Sequence, residues 1–153
     1  VRVYLAASSA ELERYRAMLE ALRSDGHDVW DWSAEHRPTA EMSAEDREIA
    51  ACACLREMEA ADAVVVLAPA VRSDALVEMG YALAYEMPLI VAGPLAQRGI
   101  FASFADAETE SDVEALLVLR AWGGDEEARA ALEARRPKNE SPAAVGRPGL
   151  GQV

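Results

Sequence analysis

Apolar residues open the chain in the run VRVYLA, which mixes aliphatic and aromatic side chains and predicts a strand over residues 1–6. Ser8 and Ser9 then stand at the N-cap position of a stretch in which Leu12, Tyr15, Leu19 and Leu22 recur at helical spacing, and Gly26 closes that helix. The segment HDVWDW, His27 to Trp32, predicts a second strand, so strand, helix and strand fit within about thirty residues, the length of a parallel crossover. Ser33 to Met42 is polar, contains Pro38 and predicts a loop. Ser43 and Asp46 form a capping-box pattern ahead of an alanine-rich helix that runs through Ala60. Ala63 to Leu67 (AVVVL) is an unbroken apolar run, as a strand buried on both faces requires. A loop, AVRSD, follows Pro69 and leads into a helix with Leu76, Met79 and Leu83 on one face, after which Pro88 opens the strand LIVAG. Phe101 to Phe104 predicts a short fifth strand, Ser111 to Trp122 a helix with a serine cap, and the stretch up to Arg136 one further helix.

Strands alternating with helices predict a doubly wound, flavodoxin- or Rossmann-like α/β fold: a parallel sheet of four to five strands with helices on both faces. The expected organisation is one domain over residues 1–122, a C-terminal helix over 123–136, and a flexible tail over 137–153, where Pro and Gly accumulate. Sheets of this kind bind ligands beyond the carboxyl ends of their strands. The site is therefore expected in the segments 6–9, 30–35 and 69–78.

Charge narrows the class of ligand. The 153 residues carry 27 acidic and 15 basic side chains, a net charge of −12, and four of the bases (Arg135, Arg136, Lys138, Arg147) lie from Ala134 onward. Polynucleotides and anionic membranes require a basic face, so neither is an expected partner. An apolar fraction of 52% supports a packed core, and no run approaches the roughly 20 apolar residues that cross a bilayer. With no basic leader ahead of an apolar stretch, and only Cys52 and Cys54, neither a disulfide framework nor a zinc site is expected, and the compartment reads as cytoplasmic.

The candidate chemistry centres on Glu78, one turn into the helix that follows the central strand. A carboxylate placed there points toward the cleft, where it stabilises an oxocarbenium-like centre or bonds to an anomeric carbon; otherwise it is a solvated acid favoured near a helix N-terminus. The pattern around it is more specific than the acid alone. Asp62 opens the third strand, Ser73 and Asp74 follow in the loop, then come Glu78, Gly80 and Ala82 in the order Glu-x-Gly-x-Ala, sixteen residues after Asp62, and Pro88 opens the next strand. With VYLAASS at the start, this resembles the nucleoside 2-deoxyribosyltransferase family and its relatives that hydrolyse nucleotide N-glycosidic bonds, over roughly residues 1–120.

The resemblance implies that Glu78 is the nucleophile, that Tyr4 orients it, and that Ser73 and Asp74 contact the sugar or its phosphate. It implies a small-molecule nucleoside or nucleotide as substrate, no metal or organic cofactor, and assembly into dimers or larger oligomers. The apolar helix around Leu116 to Trp122 is either such an oligomer surface or part of the core. Ser8 and Ser9 are either N-caps or a cradle for a 5′-phosphate, with less glycine than the family's hydrolases carry there. Arg72 either pairs with a phosphate or offsets acidic neighbours. Of Trp30 and Trp32, one indole is expected in the core and the other, Trp32 by position, against a base.

One position departs from the family pattern. Eight residues before Asp62, where an aspartate usually serves the proton on the leaving base, this chain has Cys54. Either Glu57 or Asp46 supplies that proton, or the leaving base needs little help, or the protein is a sensor that binds nucleosides without efficient turnover. Receiver and flavodoxin alternatives fit less well, since Ala6, Ala7 and Ser8 provide neither an acid cluster nor a full phosphate loop. The acidity of the chain favours a neutral nucleoside over a dianionic nucleotide.

Overall fold

The computed structural model describes residues 1–35, 41–68 and 74–135. Five strands form one parallel sheet: β1 (Arg2–Ala6), β2 (Asp28–Val29), β3 (Ala63–Leu67), β4 (Leu89–Ala92) and β5 (Ala107–Thr109), in the order β2-β1-β3-β4-β5. The helices are α1 (Leu12–Ser24), α2 (Trp32–Glu35), α3 (Ala44–Glu59), α4 (Asp74–Ala84), α5 (Asp112–Trp122) and α6 (Glu126–Arg135). The doubly wound class is thus observed. Among the described residues, no helix is long and apolar enough to cross a membrane.

β3 shows why both faces are covered. Ala63, Val65 and Leu67 join one core with Tyr15, Leu19 and Leu22 of α1 and Leu119 of α5, while Val64 and Val66 join a second core with Met58 of α3 and Met79 of α4. All five residues of β3 are fully buried, as the unbroken apolar run requires. β1 alternates in the same way, sending Val3 and Leu5 to the α1/α5 side and Tyr4 to the α3/α4 side. The chain winds one way from β1 to β2 and the other way from β3 to β5, so the switch point lies between the carboxyl ends of β1 and β3.

Several local expectations change. The second strand is only Asp28–Val29; Asp31 accepts from the backbone N–H (3.0 Å) and hydroxyl (2.7 Å) of Ser33 and so caps α2, which puts Trp32 on a helix and turns the start of the expected loop helical. Ile100–Phe104 is a 3-10 helix, not a strand, and leaves Phe101 and Phe104 exposed; β5 lies just beyond, where Ala107 and Thr109 face inward and Glu108 outward. On α4 the buried face is Ala75, Met79 and Ala82, while Leu76 is exposed, because small side chains let the helix lie close on β3 and β4. Leu116 and Trp122 of α5 pack against the core, and α6 adds Leu132 to the same cluster, so this helix surface serves packing.

Arg14 ties the carboxyl end of the sheet together. Its guanidinium donates to the carbonyl of Ala68, to the carbonyl of Ala92 (3.1 Å) and to both carboxylate oxygens of Asp112 at the start of α5 (2.8 and 2.5 Å). Gly93 completes this end: at φ +141° a Cβ would stand 2.7 Å from the Ala68 carbonyl oxygen. Arg14→Met leaves two strand-end carbonyls and a partly buried carboxylate unserved, and is expected to cost about 2 kcal/mol. Breaking the surface pair Arg120–Asp25 by Arg120→Met is expected to cost distinctly less, since solvent screens it. Urea midpoints at unchanged m-value measure both, and equal small losses would show that water replaces the Arg14 bonds.

Candidate active site

A cavity of about 310 Å³ opens at the switch point, between the first turns of α3 and α4 and the segment after β1. Glu78 and Asp74 of α4, Cys54 and Arg47 of α3, Ser9 and Trp32 all line it. At its floor the Tyr4 hydroxyl donates to Oε1 of Glu78 at 2.6 Å. Strand alternation sends Tyr4 to this side of the sheet, and the close seating of Ala75 and Ala82 on the strands brings Glu78 down to meet it.

Burial dominates the electrostatics here. Desolvation pushes the Glu78 carboxyl up to about 7, and the nearby Asp74 charge adds to this, while the Tyr4 bond opposes both. Tyr4 is raised well above its ordinary range, first by burial and then by the Glu78 charge, so it stays a donor. The Cys54 thiol is likewise pushed up by burial and by Glu78 and Asp74, against a favourable interaction with Tyr4, and so remains protonated. The floor of the cavity is therefore a carboxyl poised near neutrality, held by a phenol and faced by a thiol.

The expected site residues are brought together unequally. Glu78, Asp74, Ser9 and Trp32 line the cavity, and Tyr4 reaches it through its bond to Glu78. Ser8 is buried and its hydroxyl accepts from the Ala10 backbone N–H at 3.3 Å, an N-cap role. Arg72 and Ser73 lie outside the described residues. Trp32 is 8% exposed and packs on Tyr15 with ring centroids 4.6 Å apart, so most of the indole is core and only part of its surface meets the cavity. Trp30, half-buried, stacks against Tyr4 at 6.4 Å. Neither substitute acid reaches the cavity: Glu57 binds Arg2, and Asp46 completes the Ser43 capping box, accepting from the Ser43 hydroxyl at 2.7 Å.

Arg47 was not foreseen. Its signal lies in α3, where Arg47, Ala50, Ala51, Cys54 and Leu55 fall at 3.6-residue spacing and line the cavity together. Only Ala53 and Met58 of this helix are buried in the protein, so its alanine stripe serves the cavity wall as well as the core.

No family model and no curated protein matches the sequence. Solved structures do. A 2-deoxyribosyltransferase from Bacillus psychrosaccharolyticus superposes with a TM-score of 0.64 at 19% identity, over 75% of this chain and 90% of that one. The chain shares its fold with a 2-deoxyribosyltransferase. A conserved protein from Enterococcus faecalis V583 superposes with a TM-score of 0.61 at 16% identity, over 86% of this chain and 98% of that one. At these identities the likeness concerns the fold; in this chain Cys54 and Glu78 line one cavity, and Tyr4 holds Glu78 from beneath.

Proposed function

We propose that the protein cleaves or transfers at the N-glycosidic bond of a nucleoside or nucleotide, with Glu78 as nucleophile and Tyr4 as its positioning residue. The 2.6 Å bond from the Tyr4 hydroxyl to Glu78 at the cavity floor is the observation that carries this reading. It fixes one carboxylate oxygen of a side chain that lines the cavity. A negative charge there stabilises the oxocarbenium-like state at the anomeric carbon and then bonds to it. In this reading Asp74, which lines the cavity from the N-terminal turn of the same helix, accepts from a sugar hydroxyl, and Ser9 and Trp32, also in the lining, bound the remainder of the ligand. The structural likeness to a 2-deoxyribosyltransferase supports a nucleoside as the small molecule and the transfer of its sugar as the reaction. Water in place of a second base makes the same site a hydrolase. A second reading, a nucleoside sensor without turnover, draws on Cys54, whose protonated thiol is a poor acid for a leaving base.

A panel of nucleosides and 5′-nucleotides, with and without an acceptor base, tests the reading by chromatographic detection of free base. Release is expected from nucleosides; binding by calorimetry without release from any member would establish the sensor. Because Glu78 acts as an anion and titrates near 7, kcat/KM should climb with pH through about 7 and level above it. A rate that falls across the same interval would show that the protonated carboxyl is the active form.

A further inference from the structure

Arg47 differs from the arginines whose partners the structure defines, of which Arg23 and Arg56 donate to backbone carbonyls. Arg2, Arg14, Arg98, Arg120 and Arg129 each bind a carboxylate. Arg47 makes no such pair among the described residues, although Glu45, Asp46 and Glu48 are its neighbours in the chain; instead it lines the cavity. It shares the α3 stripe with Cys54, two turns away and roughly 10 Å along the axis, a span that a nucleobase together with the arm of an arginine covers. Ala50, Ala51 and Leu55 between them form an apolar surface of the kind a flat heterocycle lies on. At the near end of this stripe stands a thiol held protonated, and at the far end a fixed cation with five donors and no acceptor.

We propose that Arg47 reads the acceptor edge of the leaving base and carries the negative charge that develops on it, so that the site selects nucleosides of oxo-bases over those of amino bases. The proposal rests on the N-glycosidic reading above. In the step, the bond from the anomeric carbon to the base nitrogen breaks with its electron pair staying on the base, where it spreads onto the ring carbonyl oxygen. The anomeric carbon forms its new bond to the Glu78 carboxylate. The base anion leaves from beside Arg47 and takes a proton from water; water or the nitrogen of a second base then displaces the sugar from Glu78 and restores the carboxylate, and the attacking water or base nitrogen gives up its proton to the solvent. Stabilising the departing anion electrostatically does in this site what protonation by an acid does elsewhere. An oxo-base offers a carbonyl and ring nitrogen that accept from a guanidinium, whereas an exocyclic amine presents another donor to a group that only donates.

The test compares a 6-oxopurine and a 6-aminopurine nucleoside with the same sugar, in the native protein, Arg47→Met and Arg47→Lys. The native protein should release the oxo-base with a kcat/KM roughly tenfold to a hundredfold higher, as one bidentate pair supplies. Arg47→Met should bring the two rates to within about threefold by slowing the oxo-base more, and Arg47→Lys should restore part of the preference as a point charge. Calorimetry with the two free bases gives a second readout, in which the oxo-base should bind more tightly to the native protein and lose that advantage in Arg47→Met. Equal native rates, or a methionine variant that slows both substrates alike, overturn the proposal while base release itself stands. No release from either nucleoside would instead overturn the N-glycosidic reading, and the calorimetric preference would then decide whether Arg47 reads the base.

Discussion

Glu78→Gln is expected to lower base release on the order of 10³-fold or more while the protein stays folded. Glutamine keeps the size of the side chain and still accepts from the Tyr4 hydroxyl, but its amide neither bonds to an anomeric carbon nor stabilises positive charge there. The loss should appear in kcat, because the missing interaction belongs to the transition state. Stability provides an independent check. The folded-state pKa of Glu78 is raised from 4.5 to about 7, so the folded protein holds this proton more tightly than the unfolded chain. The associated stabilisation is complete below about pH 4.5 and is lost as pH rises through 7. Glu78→Gln removes that dependence. At about pH 8 the variant should be the more stable protein, by up to about 3 kcal/mol at 1.36 kcal/mol per pKa unit, and near pH 4 the two should match. Denaturation at both pH values measures it. An inactive variant that is also less stable at pH 8 would point to disruption of the site; an active one would remove Glu78 from the chemistry.

This inverse relation between stability and activity reflects how the site is made. Desolvating a carboxylate is unfavourable unless a partner compensates, and the single Tyr4 bond compensates only in part. The carboxyl is held where water screens it least, which is where its charge acts most strongly on a ligand.

The fold was legible because burial leaves a period in the sequence. The unbroken AVVVL run could satisfy its backbone only in the middle of a covered sheet, and the Tyr15, Leu19 and Leu22 stripe required a helix against it. Glu78 and Tyr4 were singled out by resemblance alone, and the contact between them is visible only in the structure. Other features left no period in the sequence, because a local bond or distant partners decided them. The span of β2 was cut short by the Asp31 cap, a local bond that competes with strand pairing. Arg14 gave no periodic signal, since its partners at Ala68, Ala92 and Asp112 meet only after the sheet has formed. Arg47 stands among acids in the sequence, and only the orientation of α3 turns it toward the cavity.

Cys54→Asp is expected to accelerate base release by about 10²-fold, the lower end of what general acid catalysis contributes. The thiol faces Tyr4 and Glu78 in a partly desolvated position where burial and two carboxylates disfavour negative charge. Those same influences would act on an introduced aspartate, holding its proton to higher pH than an exposed carboxyl and so making it an acid near neutrality. A cavity of about 310 Å³ accommodates the slightly larger side chain. The gain should be greatest for amino bases, which need protonation to leave, and smallest for oxo-bases, whose charge Arg47 already meets. The second carboxyl should also move the rising limb of the pH profile upward, because each acid discourages ionisation of the other. Measuring kcat for both base types across pH separates these effects. If the aspartate variant is no faster on amino bases, proton delivery does not limit this site and Cys54 is not the reason for its present rate.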